Sequence, residues 1–241
     1  MSVLYKATKI IEVVLLRVTP TKLGTIADEV GLPKSSTHRL VNELVELGLL
    51  RHVGDGYYTS GYRLVQWGHG ADRAINIRAT AEPAMISLAR RVGESVHLYV
   101  PEGDHRVCVA AIDSHHTLRP VVALGQPMPL GIGASGKLLL SYAPPQVHDA
   151  AWSSAPPRNR AEWPSAEELA TLKAQGWATS FAEMETGLSA VSAVIPSQGD
   201  LPVGVLTVAG ATARLTEEQC VEVRPHVIAA AGEIAQALAS I

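Results

Sequence analysis

Residues 31–40 read Gly31-Leu32-Pro33-Lys34-Ser35-Ser36-Thr37-His38-Arg39-Leu40, and this short run decides how the first part of the chain folds. Gly31 suits the left-handed position that ends a helix, and Pro33 forbids a helix from running through. Ser35 offers a side-chain oxygen to the free amides of the next helix, so it is the expected N-cap. Upstream, Leu23, Ile26, Ala27 and Val30 recur at helical spacing. Downstream, Leu40, Leu44 and Leu47, flanked by Val41 and Val45, make a second apolar stripe that Gly48 stops. Two short helices across a tight glycine-containing turn predict a helix-turn-helix unit. Before it, Ile10, Ile11, Val14 and Leu15 predict an amphipathic helix over Lys6–Val18, ended by Thr19-Pro20-Thr21.

The polar face of the third helix carries Lys34, Ser35, Ser36, His38, Arg39, Asn42 and Glu43. On charge alone this is a solvated face, since most polar helix faces are merely wet. The residues after Gly48 shift the balance. Leu49–Val53 and Gly56–Thr59 are short strand-like runs around Gly54-Asp55, a strong tight-turn signal. Three helices and a hairpin predict a winged helix-turn-helix over residues 1–60. Its third helix would then present side chains to base edges in the major groove of double-stranded DNA. The candidate contacts are Lys34, Ser35, Ser36, His38, Arg39 and Asn42 on the helix and Arg51 and His52 on the wing, with Lys22 added for phosphate neutralisation.

Charge is divided in the same sense. Residues 1–70 hold eight Lys and Arg against six Asp and Glu, and the remainder twelve against seventeen, within a net charge of −3. An anionic partner is therefore expected for the first part only. At 241 residues, 47% hydrophobic and 18% charged, the chain suits two globular domains and excludes a collagen, a rod or wholesale disorder. No apolar run approaches the roughly 18 residues of a membrane span, and Met1–Lys9 lacks a signal-peptide core. Cys108 and Cys220 are too few for a disulfide framework, so a reducing, cytoplasmic setting is expected.

A helical arm is expected over 61–78, from Tyr62, Leu64, Val65 and Trp67 onward, followed by a helix near Thr80–Val92. Beyond Gly93 the hydrophobic period changes from 3.6 to 2. Val96–Val100 and Val107–Ile112 read as a hairpin across Glu102-Gly103-Asp104, and Val121–Leu124 as a third strand. Gly136–Tyr142 and Ala166–Gln175 read as helices, with a proline-rich connection over Pro144–Pro164 that has room for one short helix. Trp177–Phe181, Ser189–Ile195 and Val203–Ala209 complete a sheet of about six strands, and Thr216 caps a final helix to Leu238. The fold class is α+β, with residues 79–241 as an effector-binding, oligomerisation domain.

Two patterns in this half imitate other chemistry. Gly131, Gly136 and Lys137 match a phosphate-binding loop, but Leu138 stands where a hydroxyl must hold magnesium. Gly131, Gly133 and Gly136 match a dinucleotide fingerprint, but the preceding Gln126–Leu130 is a poor strand. A metabolic enzyme or nucleotide-binding protein using the 131–137 loop is the rival reading. His97, His105, His115 and His116 cluster in sequence without metal-site spacing, so no metal is expected. Cys108, between Val107 and Val109, reads as packed rather than reactive.

With these residues in place, the chain resembles the IclR-type bacterial transcriptional regulators. The likeness lies in Ile26-Ala27, Gly31–Leu40 and Tyr58 with Gly61 and Leu64. It continues in Gly133-Ala134-Ser135-Gly136-Lys137, Gly176-Trp177, Glu183, Gly187–Ala193 and Val205–Gly210. The resemblance implies a winged helix-turn-helix joined by a helix to a GAF-like effector-binding domain, assembled as a homodimer or tetramer on operator DNA. It also implies that the glycine-rich loop lines an effector pocket, with Ala134, Ser135, Ser180, Leu188, Ala190, Thr207 and Ala209 around it. Family members that bind small keto acids tend to carry Asp, Cys, Ser and Ser where this chain has Ser180, Ala190, Thr207 and Ala209. The expectation is therefore a repressor of a catabolic operon, without catalytic activity or cofactor, that answers to a partly apolar organic acid, aromatic or medium-chain. The amides of Ala134 and Ser135 are expected to take its carboxylate.

Overall fold

Ile10 and Val14 on α1 (Val3–Leu15), Ile26 on α2 (Leu23–Val30) and Leu40, Val41 and Leu44 on α3 (Lys34–Glu46) are buried against one another. That shared core is why the first helices assemble. The computed structural model describes residues 2–17, 19–75, 77–156 and 163–240, with 69–75 described by backbone alone. The chain divides into one compact unit over residues 1–75 and another over 76–241.

In the first unit, β2 (Leu50–His52) and β3 (Tyr57–Ser60) form the expected hairpin, followed by α4 (Tyr62–Ile75). The two-residue strand β1 (Thr21–Lys22) pairs with β3, so the order is β1-β3-β2. The sequence predicts Thr21 only as part of a helix stop; a two-residue strand has no periodicity to find. Pro33, not Ser35, is the residue before the first turn of α3, and no side chain caps it. Thr37 is fully buried, and its hydroxyl and amide both donate to the Pro33 carbonyl at 3.1 and 2.9 Å. The buried stripe is thus Thr37, Leu40, Val41 and Leu44, while Leu47 lies beyond the last helical turn and is half exposed. The first helix starts earlier than Lys6, and Val18, its expected end, lies outside the described residues.

The second unit begins with α5 (Ile77–Val92), so the helix expected from Thr80 starts three residues sooner, and Asn76 of the expected arm is not among the described residues. Its six strands are β4 (Ser95–Glu102), β5 (His105–Ile112), β6 (Pro127–Pro129), β7 (Trp177–Phe181), β8 (Leu188–Ile195) and β9 (Gly204–Ala211). They form one antiparallel sheet in the order β6-β5-β4-β9-β8-β7. One face packs on α5 and the final helix α9 (Glu217–Ala239) through Met85, Leu88, Val227 and Ile234. The other packs on α6 (Gly133–Leu140), α7 (Pro145–Ser154) and α8 (Ala166–Gln175) through Leu138, Leu139, Leu169 and Leu172. The fold is α+β in both units.

Two expectations change here. Val121–Leu124 is a loop, and the strand beside β5 is Pro127-Met128-Pro129. Prolines donate nothing to a ladder and are tolerated on an outermost strand, which here closes the edge of the sheet. The helix expected from Gly136 begins at Gly133, three residues earlier. The proline-rich connection holds α7, and its stretch 157–162 lies outside the described residues.

Candidate nucleic-acid interface and ligand cavity

The burial of Thr37, Leu40, Val41 and Leu44 turns the opposite face of α3 to solvent. Lys34, Ser35, His38, Arg39 and Asn42 are exposed along it, and Ser36 is half buried. On the wing, Arg51 and His52 are exposed but locally braced. The Arg51 Nε–H donates to the Ser60 carbonyl at 3.3 Å, and the guanidinium lies 5.3 Å from the Tyr62 ring centroid. His52 packs edge-on against Tyr58 at 5.1 Å and accepts the Gly54 N–H at 3.4 Å. Lys22, which pairs in β1, lies over the Tyr57 ring at 5.1 Å. An exposed basic and hydroxylic helix end beside a braced wing suits a nucleic-acid groove.

In the second unit, strand alternation and the start of α6 converge on one cavity of about 90 Å³. Ala134, Ser135, Ser180, Leu188, Ala190, Thr207 and Ala209 all border it. They come from α6, β7, β8 and β9; Ser180 pairs with Ala190 and Ala190 with Ala209 across the sheet, which places three of them side by side. Thr207 shares a 2.9 Å hydrogen bond with Ser192. Sequence reasoning missed His97, Tyr99, Arg106, Met128 and Met184, which complete much of the wall. The alternation in Arg106-Val107-Cys108 was the available signal, because it turns Arg106 inward with the buried Cys108.

Arg106 is almost wholly buried. One terminal nitrogen donates to the Pro129 carbonyl, the other points at the Met184 sulfur at 3.5 Å, and its Nε has no partner. Its charge lies 5.4 Å from the centroid of the Tyr99 ring. No carboxylate pairs with it among the described residues. Burial lowers its pKa to about 10, still charged at neutral pH. Burial likewise pushes His97 down to about 4, opposed by the charge of Asp113, so its ring is neutral. Neither ring nitrogen of His97 has a hydrogen-bond partner. Burial pushes the Cys108 thiol up to about 11, so it packs as a small apolar group rather than as a nucleophile.

The glycine-rich loop has a structural explanation. A Cβ at Gly136 would collide with an Arg106 terminal nitrogen and stand 3.2 Å from the Pro129 carbonyl oxygen. Only glycine lets the guanidinium lie against α6. Lys137, the residue a phosphate loop would use, is bound to Glu183 at 2.8 Å and Glu168 at 3.3 Å. Glu183 also accepts the Gly133 N–H at 3.1 Å. An internal carboxylate thus holds the first amide of α6, one residue before the Ala134 and Ser135 amides expected to take a ligand's carboxylate. Among the described residues no group of three or more His, Cys, Asp or Glu is placed to hold a metal, and no helix is long and apolar enough to cross a membrane. His97 belongs to the cavity instead, and His105 pairs with Asp104 at 2.7 Å. The cavity lining is mainly apolar and carries one buried positive charge.

Residues 3–54 match the IclR helix-turn-helix domain, and residues 69–236 match the family described as bacterial transcriptional regulator IclR C-terminal. The glycerol operon regulatory protein of Streptomyces coelicolor is 31% identical over 226 residues, covering 90% of this chain and 86% of that protein. The crystal structure of Thermotoga maritima IclR superposes with a TM-score of 0.77 at 25% identity, covering 98% of each chain. An IclR homologue of Microbacterium hydrocarbonoxydans complexed with 4-hydroxybenzoate superposes with a TM-score of 0.83 at 24% identity over the whole of both chains.

Proposed function

The chain belongs to the IclR family of bacterial transcriptional regulators, and we propose that it represses a catabolic operon until a partly apolar organic acid enters the cavity of its second unit. It is a DNA-binding regulator with an effector-binding domain, and not an enzyme. The observation that carries the effector reading is the cavity itself, where the polar anchors of Ser135, Ser180 and Thr207 stand among Leu188, Ala190 and Ala209. A two-carbon keto acid would leave most of that apolar wall unmatched.

The cavity, which is partly open, is smaller than the roughly 150 Å³ that accommodates benzene in an engineered core. Met128 and Met184 line it, and their unbranched, flexible side chains can move to admit a ring. The 4-hydroxybenzoate bound by the Microbacterium homologue makes hydroxybenzoates the first acids to try. The regulator acts in the cytoplasm as a homodimer or a tetramer. Supporting this, α4 leaves the large apolar side chains of Tyr62, Val65 and Trp67 more than half exposed, surface that a second copy could cover. Dimers would read an inverted repeat, with α3 of each copy entering the major groove through Ser36 and Arg39.

The test is a gel shift on the promoter regions flanking the chain's own gene, repeated with a panel of two- to eight-carbon acids. Retarded operator DNA that is released by aromatic or longer acids is expected. Release by glyoxylate or pyruvate alone would overturn the effector reading, and no retained promoter would overturn the operator reading.

A further inference from the structure

The buried charge in the cavity has no counter-ion among the described residues, and that fact says more about the ligand than the shape does. Arg106 is 1% exposed and its guanidinium meets a carbonyl oxygen, a thioether and an aromatic ring. The described cavity lining contains no Asp, Glu or Lys. Glu183, at the nearby helix start, is bound by Lys137 and the Gly133 amide. A buried cation without an anion is costly, and a monoanion arriving beside it relieves that cost. A dianion would bring a second charge with nothing to balance it. His97 supplies the complementary observation. It is 1% exposed, lines the same cavity, flanks the same Tyr99 ring at 6.0 Å, and has both ring nitrogens free of hydrogen bonds. A neutral imidazole offers one donor and one acceptor, which is what a hydroxyl group can satisfy.

We propose that Arg106 and His97 set the effector's chemical class as a hydroxy-substituted monocarboxylic acid, its carboxylate on the Arg106 guanidinium and its hydroxyl on the His97 ring. This rests on the reading of the cavity as the effector site. The two anchors stand on adjacent strands, Arg106 on β5 and His97 on β4, with Tyr99 between them as an apolar and aromatic floor. An acid that lacks the hydroxyl leaves His97 unsatisfied. One that lacks the carboxylate leaves Arg106 unpaired. A dicarboxylate puts a charge against the neutral histidine. Discrimination by unpaired buried groups is the strong kind, because the penalty falls on the wrong ligand.

The experiment uses the full-length protein and calorimetric titration with matched probes: 4-hydroxybenzoate, benzoate, 4-hydroxybenzamide and terephthalate, with 4-hydroxybutyrate and butyrate as an aliphatic pair. The hydroxy acid of at least one pair should bind about tenfold more tightly than its plain acid, which is the scale of one buried hydrogen bond. The amide and the dicarboxylate should bind no better than the plain acid. Arg106→Met should weaken the acid at least about thirtyfold. It should leave the melting temperature of the ligand-free protein unchanged or raised, because the variant removes an unpaired charge. Arg106→Lys should recover part of the affinity, and His97→Phe should abolish the preference for the hydroxy acid while sparing the plain acid. Tight acid binding by Arg106→Met, or preference for the dicarboxylate, would overturn the proposal and leave the effector reading standing. A ligand-free melting temperature that drops in Arg106→Met and returns in Arg106→Lys, with acid affinity unaltered, would make the arginine structural and likewise overturn it. If the wild-type protein binds none of these probes, the cavity is not an acid site and both readings fall.

Discussion

Lys137 Nζ and Glu183 Oε1 lie 2.8 Å apart across 46 residues of sequence, and the same carboxylate accepts the Gly133 amide. The first turn of α6 is therefore capped from the loop after β7, not from its own chain neighbours. The lysine side chain is 11% exposed and the glutamate 17%, so neither is freely solvated. Glu183→Ala should destabilise the second unit by about 1–3 kcal/mol, because it leaves a helix amide unsatisfied and the largely buried Lys137 ammonium with Glu168 as its one remaining carboxylate. Urea unfolding followed by circular dichroism measures this. A variant as stable as the wild type would show that the cap is inert.

A Cβ at Gly61 would overlap the Gly48 carbonyl oxygen, and that atom belongs to backbone held by the turn after α3. Gly61→Ala should cost about 1–3 kcal/mol by overpacking and weaken operator binding by disturbing the wing. Gly68, in α4, has nothing within 4 Å of the same position. Gly68→Ala should be neutral or stabilising by up to about 1 kcal/mol. Equal melting temperatures for the two variants would contradict this packing account.

The neutral His97 predicts a pH dependence with a definite sign. Its pKa is near 4 in the folded protein and about 6.5 when the chain unfolds, because burial disfavours the charged ring. Above pH 6.5 the residue is neutral in both states and stability is unaffected. As pH falls from 6.5 to 4 the unfolded chain binds the extra proton, so stability declines, by on the order of 3 kcal/mol at the lower end. His97→Phe should lose less stability than the wild type between pH 7 and pH 4.5. Parallel stability curves would place the imidazole in contact with water.

Arg39 is exposed on α3 and Ser36 is half buried beside the fully buried Thr37. Arg39→Ala and Ser36→Ala should keep their folds and each lose about 1–3 kcal/mol of discrimination between operator and random DNA, the scale of a direct base contact. Fluorescence anisotropy on the two duplexes reads the ratio. Unchanged selectivity in both would remove this helix from base readout.

Ala190 pairs with both Ser180 and Ala209 at the cavity wall. Ala190→Leu should fill space needed by an acid and abolish its thermal stabilisation of the protein, with operator affinity intact. Retained stabilisation by the acid would put the ligand elsewhere.

The helices of the first unit, the wing, and five of the six strands of the second are legible in the sequence. Residues within a few positions decide such features: Gly31 and Pro33 separate α2 from α3, Gly54-Asp55 turns the hairpin, and short apolar runs mark β4, β5 and β7 through β9, alternating cleanly in β5 and β7. Short or proline-bearing pieces, β1 and Pro127–Pro129, escape because they pair with distant strands and carry no pattern of their own. The seven residues around the cavity are reachable only through the family likeness, since they lie on four separate elements. The electrostatics are not reachable even so. Alternation puts Arg106 on the same face as Cys108, but neither it nor His97, one of several histidines, shows in sequence whether it is charged or paired. Their charge states and missing partners depend on how far packing removes them from water, and that is settled by strands and helices dozens of residues away. Local residue order was enough to set which of these elements form and, to within a few residues, where they lie. Long-range packing alone gathered a buried cation and a neutral imidazole around the same small space.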